Sequence, residues 1–253
     1  RTPAATLLSP PPNPARYIPP RSLWLHLVPL LAAPLLHAQS SPEDGPPWKI
    51  LFDGKSVTGL KGVQKSDFLR SGWKIADGAL NLTKTIKETG RVTGGDLATA
   101  DSFTDFEFAF EWKNSVSGNS GVLYFNRSGL GQKPAGNEFQ IIDDVRNPDG
   151  LKGGPIRRTG SLYGVLPPAE APRLNDGDWN EGRIVVRANQ VQHWINGTKV
   201  LEYTLGPELA KTAAASGIKP PFGFGTKNKS PVFLLDQGDE VSFRNLKIRP
   251  LVP

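Results

Sequence analysis

Three side chains in one short stretch, Glu138, Gln140 and Asp143, are the first candidates for chemistry. On an extended strand successive side chains alternate faces, so Glu138 and Gln140 point one way and Asp143 the other. A bulge, or the end of the strand, returns Asp143 to the shared face. Two carboxyls flanking one bond are what a glycosidase needs, one as acid and one as base or nucleophile. The competing reading is a carboxylate that caps a turn or pairs with Arg127, Arg146 or Arg183. His193 is the next candidate. An ordinary imidazole titrates at about 6.5, which suits proton transfer. Its alternation with Val191 and Ile195 also fits a hydrogen-bonded histidine in the core.

Other residue types point to sugar recognition. Asn119, Tyr124, Arg127, Gln140 and Tyr163 offer amide and guanidinium donors, hydroxyls and aromatic faces. Trp179 and Trp194 offer stacking faces too, although large aromatics in a β-rich chain read first as core. Asp143, Asp144 and Asp149, in a glycine-containing loop, offer oxygen ligands to a hard divalent cation. A solvated loop is the alternative, and the residues fix no cofactor.

Several classes are excluded. The chain has no cysteine, so disulfides, thiolate metal sites and cysteine nucleophiles are ruled out. Three histidines occur, and His26 and His37 lie in the N-terminal stretch, leaving His193 alone in the rest. That excludes a multi-histidine zinc site. No phosphate-cradling loop, nucleophile elbow or dinucleotide fingerprint is present. The net charge is +6, and Arg1, Arg16 and Arg21 supply half of it. No basic stripe carries interleaved aromatics, so nucleic acid is not an expected partner.

The elements that must position these groups are mostly strands. Phe106, Phe108, Phe110 and Trp112 alternate with Glu107, Ala109 and Glu111, a period of two. Similar runs begin at Gly72, Ala79, Gly121, Glu138, Arg183, Val191, Lys199, Val232 and Val241. Asp77-Gly78, Asn196-Gly197 and other such pairs mark tight turns between them. One short helix is expected over Pro207–Ala215. The pattern argues for an antiparallel sandwich or barrel. The polar loops 84–94, 128–136 and 146–159 are places where binding groups would sit.

The N-terminal region reads differently. Arg16 and Arg21 precede the apolar run Leu23 to Leu36, which is short for a membrane span, and Ala38 suits a cleavage site. Residues 1–38 are therefore expected to be a secretory signal peptide or a disordered upstream segment. Residues 39–47 read as a linker and 48–253 as one β-sandwich domain. Export, to a periplasm or out of the cell, follows, with no membrane association after cleavage.

Residues 48–250 resemble the 3-keto-disaccharide hydrolase domain family, also described as 3-keto-glucoside lyase/3-keto-glucal hydratase-like. The matching pieces run in family order: Phe52-Asp53-Gly54-Lys55-Ser56, Gly72-Trp73-Lys74-Ile75, Gly95-Asp96-Leu97-Ala98-Thr99, Phe106-Glu107-Phe108, and Asn119-Ser120-Gly121-Val122. They continue with Glu138-Phe139-Gln140-Ile141-Ile142-Asp143, Gly160-Ser161-Leu162-Tyr163, Trp179-Asn180, His193-Trp194-Ile195-Asn196-Gly197 and Phe243-Arg244-Asn245-Leu246-Lys247-Ile248. The resemblance implies a concanavalin A-like jelly-roll β-sandwich of two antiparallel sheets with a concave carbohydrate face. It implies an oligosaccharide or glycoside substrate, and a partner sugar 3-oxidoreductase that first makes the ketone. Three positions depart from the family pattern. Asn147 stands for His, Gly164 for Asp, and Gln237 for His. The Glu138–Asp143 spacing is also similar to the Glu-x-Asp-x-x-Glu strand of laminarinase-type glycosidases, with Gln and Asp replacing two of its acids.

The leading expectation is an exported enzyme cleaving 3-keto-glycosides by elimination and hydration or by hydrolysis. Glu138, His193 and Asp143 are its catalytic candidates. Asn119, Tyr124, Arg127, Gln140 and Tyr163 are its substrate-binding candidates. A glycan-binding module without catalysis, and direct hydrolysis of an unoxidised β-glucan, are the alternatives.

Overall fold

A computed structural model describes residues 46–63, 69, 72–83, 94–129 and 132–253. The expectations for 1–38 and for most of 39–47 lie outside them, as does nearly all of the loop 84–94.

Two antiparallel sheets form a jelly-roll sandwich. The larger has the order β11-β10-β9-β6-β13-β4-β3, with β1 (Lys49–Phe52) pairing with β13. Its members are β3 (Trp73–Ala76), β4 (Ala79–Leu82), β6 (Phe106–Asn114), β9 (Asn180–Arg187), β10 (Gln190–Ile195), β11 (Thr198–Thr204) and β13 (Val241–Pro250). The smaller has the order β2-β5-β12-β7-β8. It comprises β2 (Leu60–Gly62), β5 (Leu97–Thr99), β12 (Phe233–Leu234), β7 (Asn119–Tyr124) and β8 (Asn137–Ile142).

The turn chemistry acts as expected. Asn196 and Gly197 both take positive φ between β10 and β11, and Asp77 and Gly78 do the same between β3 and β4. Those are the backbone conformations a two-residue hairpin turn demands. β1, β2 and β5 are three or four residues long, too short to show a period in sequence. The helix over Pro207–Ala215 (α2) forms as expected. A second, α1 (Pro148–Gly153), occupies a stretch that reads as loop because it holds Pro148, Gly150 and Gly153. The Asn147 side chain caps it, accepting from the Asp149 N–H at 2.9 Å.

The inner faces are aromatic. Phe110 and Trp112 from β6 meet Phe139 from β8 edge-on at 5.5 and 6.1 Å. All three are buried. Each such ring contributes about 1.5–3 kcal/mol by burial, so this contact fixes β8 against the larger sheet. Because Phe139 and Ile141 face inward, Glu138 and Gln140 face outward.

Candidate functional site

The outward side chains of β7 and β8 line a cleft of about 170 Å³, with Asn119, Lys133, Glu138, Gln140, Tyr163 and Gln237 in its walls. β7 and β8 pair with Gly121 opposite Gln140 and Leu123 opposite Glu138. Gly121 makes room for the acid, since a Cβ there would lie 2.4 Å from the Glu138 Oε1. β12 brings the far wall. The Leu235 N–H donates to the Gly121 carbonyl, and the Ser120 hydroxyl to the Leu235 carbonyl, both at 2.9 Å.

A segment after α1 completes the site by lying along the free edge of β8. The Gly160 N–H donates to the Gln140 carbonyl (2.9 Å), the Gln140 N–H to the Ser161 carbonyl (3.2 Å), and the Tyr163 N–H to the Glu138 carbonyl (3.0 Å). Tyr163 is thereby placed in the cleft with Glu138. Its hydroxyl donates to Asp149 Oδ2 at 2.9 Å, and Arg157 pairs with the other Asp149 oxygen. Burial, the bond to Asp149 and that residue's charge push the phenol up to about 12.

Glu138 is half-buried, and among the described residues its carboxyl has no hydrogen-bond partner. Burial pushes it up to about 8; Lys133 opposes this, while the charges of Asp149 and Asp96 reinforce it. An acid poised near neutrality in a cleft has the property expected of a proton-transfer group. Gln140 donates to the Asn119 Oδ1 at 3.3 Å, which leaves the Asn119 amide N–H groups for a ligand.

The other sequence candidates lie elsewhere. His193 is fully buried between the sheets. Its Nδ1 meets the Gly160 carbonyl at 2.9 Å and its Nε2 the Tyr124 hydroxyl at 2.7 Å. Burial pulls its pKa down to about 4. Tyr124 is equally buried and bonds to the Tyr203 hydroxyl at 2.6 Å. Neither residue can touch a ligand in the cleft. Both point inward because the residues two away on their strands are core residues.

Asp143 is a turn residue. One oxygen accepts from the N–H groups of Val145 and Arg146, the other from the Ser117 N–H and the Arg146 guanidinium. Burial pushes its carboxyl up, but these bonds outweigh it and hold the pKa below the usual range. Arg127 is tied to the carbonyl and hydroxyl of Thr226 and does not line the cleft.

The three aspartates do not converge as a cation site. Asp144 accepts from the Thr159 N–H at 2.8 Å, and Asp149 is held by Tyr163 and Arg157. Among the described residues no group of three or more His, Asp or Glu is placed to hold a metal ion.

Trp179 and Trp194 are not core residues. They lie half-exposed on the outer face of the larger sheet, beneath Arg244 at 4.1 Å and Arg183 at 4.3 Å. Depressions of about 980 and 630 Å³ open beside them. These are larger than the cleft, but of the carboxylates that line them Glu111 is committed to Arg244 and Asp53 to its own turn, and Glu170 and Glu181 are exposed to solvent, whereas Glu138 is half-buried. The cleft therefore has the better chemistry.

Sequence reasoning missed Lys133, Asp149 as the partner of Tyr163, and Gly121 as the space for Glu138. No period marks a lysine in a loop or an acid that acts through its neighbour. The departures are legible in the structure. The Asn147 amide both caps α1 and donates to the Ser117 carbonyl at 2.7 Å. Gly164 sits at φ +70°, where a Cβ would approach Ile218 to 2.8 Å. Gln237 lines the cleft itself.

A jelly-roll sandwich with a cleft built from one uncommitted acid, amides and a phenol offers the groups that carbohydrate-active proteins use. The family is shown by direct comparison. Residues 47–249 match the model of the 3-keto-alpha-glucoside-1,2-lyase-like domain, and the chain belongs to that family. It is 31% identical over 234 residues to a 3-keto-disaccharide hydrolase of Bacteroides thetaiotaomicron, covering 83% of this chain and 80% of that protein. Two crystal structures of candidate glycosyl hydrolases from Parabacteroides distasonis superpose with TM-scores of 0.69 and 0.60, at 29% and 25% identity. Each covers 81% of this chain, and 94% and 100% of the relatives. The chain is a carbohydrate-active hydrolase of this family.

Proposed function

We propose that this protein cleaves 3-keto-glycosides by proton abstraction at C2, with Glu138 as the base. The observation that carries the reading is the Glu138 carboxyl, facing the cleft with no hydrogen-bond partner among the described residues and raised to about 8. A ketone at C3 acidifies the C2 proton. Carboxylate removal of that proton gives an enolate, whose electrons then expel the glycosidic oxygen from C1. Water adding across the new C1–C2 double bond gives the free 3-keto sugar.

The route needs one base, an oxyanion stabiliser and a proton for the leaving group. The cleft offers one carboxyl in its walls, the Lys133 ammonium for developing negative charge, and amides from Asn119 and Gln140 for hydroxyls. Protonated Glu138, or a water beside Tyr163, returns the proton to the leaving oxygen. Direct glycoside hydrolysis needs two flanking carboxyls, and Asp143 is committed to its own turn. The reading includes a glycoside oxidised beforehand by a partner sugar 3-oxidoreductase, and export directed by residues 1–38.

The test is a paired incubation of the protein with 3-keto-trehalose and with trehalose. Release of sugar from the keto compound alone is the expected result. Equal cleavage of trehalose would overturn the mechanism, and binding of the keto sugar without release would make the protein a glycan-binding module.

A further inference from the structure

The buried histidine has no role in that chemistry, yet its contacts lead to the cleft. Gly160 accepts from the His193 Nδ1. A carbonyl can only accept, so Nδ1 carries the proton and the neutral ring leaves Nε2 as an acceptor for Tyr124. The Asn137 amide donates to the Tyr203 hydroxyl at 3.0 Å, which orders the chain from Asn137 through Tyr203 and Tyr124 to His193 and Gly160. Both ends are next to the cleft. Asn137 precedes Glu138 on β8. Gly160 is the first residue of the segment that runs along β8 and delivers Tyr163. His193, on β10 of the opposite sheet, therefore reaches across the sandwich to hold the backbone beneath two cleft residues.

We propose that His193 is a positioning residue: its Nδ1–H bond to Gly160 fixes the 160–163 segment on the β8 edge and so sets the Tyr163 hydroxyl relative to the Glu138 carboxyl. This rests on Glu138 being the base. The bond to Gly160 is the part that matters for the reaction; the bond to Tyr124 serves the core.

Two substitutions separate these bonds. The amide nitrogen of Asn is two bonds from Cβ, like Nδ1, and that of Gln is three bonds away, like Nε2. His193→Asn keeps a donor for Gly160, and His193→Gln presents its amide toward Tyr124, with the oxygen as acceptor, and leaves no donor for Gly160. The variants are compared for kcat and its pH profile on a 3-keto-glycoside, with thermal midpoints as the measure of folding. The groups acting on Glu138 in that profile are Lys133, Asp149 and Asp96, all retained, as is Tyr163.

The Asn variant and Tyr124→Phe should keep kcat and the profile close to wild type even where their midpoints fall. The Gln variant should lose kcat roughly ten- to hundredfold, the scale of a misplaced reacting group, with its pH limb displaced. His193→Leu carries the same arm if the Gln variant does not fold. Equal losses in the Asn and Gln variants, or loss of activity that only follows the midpoints across all four, would overturn the proposal. Glu138→Gln, measured alongside, keeps the two ideas apart. Full activity in that variant would sink the base assignment, whatever the His193 variants do.

Discussion

Asn137 and Glu138 are neighbours on one strand and live in opposite worlds. Asn137 points into the core, fully buried, and joins a chain of hydrogen bonds with Tyr203, Tyr124 and His193. Glu138 points into the cleft, half-buried, with no hydrogen-bond partner for its carboxyl among the described residues. Apart from the Asn137 Oδ1, the polar groups of this inner chain are paired, and a paired group in the core specifies structure. The outer one holds an unspent capacity for hydrogen bonding and proton transfer. What separates them is the two-residue period of a strand. A polar residue in a sandwich is assigned to structure or to chemistry by its face before its type is considered.

The largest expected effect is on the outer group. Glu138→Gln should lower kcat on a 3-keto-glycoside by about 10²–10⁴-fold, the usual worth of a general base, as read by initial rates at saturating substrate. The same variant should be more stable than wild type at pH 8. The carboxyl titrates at about 8 in the folded protein and near 4.5 in the unfolded chain. Between those values the native state holds the extra proton, so wild-type stability falls as pH rises through the window, and Gln removes that loss. Thermal midpoints at pH 5 and pH 8 check the sign.

Tyr163→Phe comes next. It removes the phenol beside the carboxyl and leaves Asp149 with Arg157, and kcat should fall roughly ten- to hundredfold with little change in thermal midpoint. A comparable loss of stability would mean that the phenol belongs to the structure. Gly121→Ala then tests the space between the strands. Its Cβ would crowd the Glu138 Oε1, so it should displace the carboxyl, lowering activity and costing about 1–3 kcal/mol in a denaturant titration.

The inner network gives the opposite pH signature. His193 titrates at about 4 folded against about 6.5 unfolded. The unfolded state binds the extra proton between those values, so the stability contributed by the neutral ring is present above pH 6.5 and is lost as pH falls toward 4. His193→Asn should flatten that part of the pH–stability curve. The smallest effect belongs to Asn147→Ala, which removes the α1 cap and should cost about 1 kcal/mol without changing kcat.

Much of the fold was legible because the sandwich is written in alternation. Phe106 to Trp112 and Val191 to Ile195 give their strands and inner faces directly, and Asn196-Gly197 gives the hairpin. β1, β2 and β5 are too short for a period. α1 is masked by a proline and glycines, and only its Asn147 cap betrays it. At the site, the shared face of Glu138 and Gln140 follows from spacing. The depth of His193 follows from Val191 and Ile195 beside it, which already allowed the core reading. The commitment of Asp143 to its own turn depends on Ser117, far away in sequence, and no local pattern shows it. Trp179 and Trp194 mislead because an Arg packed over an indole lets a large aromatic stay at the surface.

The most direct test of the account is the pH dependence of kcat on a 3-keto-glycoside from pH 5 to 10, for wild type and Glu138→Gln. A base that titrates at about 8 predicts a rate that climbs with pH and reaches half its plateau near 8 in wild type, and no such limb in the variant. A profile that falls with rising pH, or a limb that persists in Glu138→Gln, would contradict it.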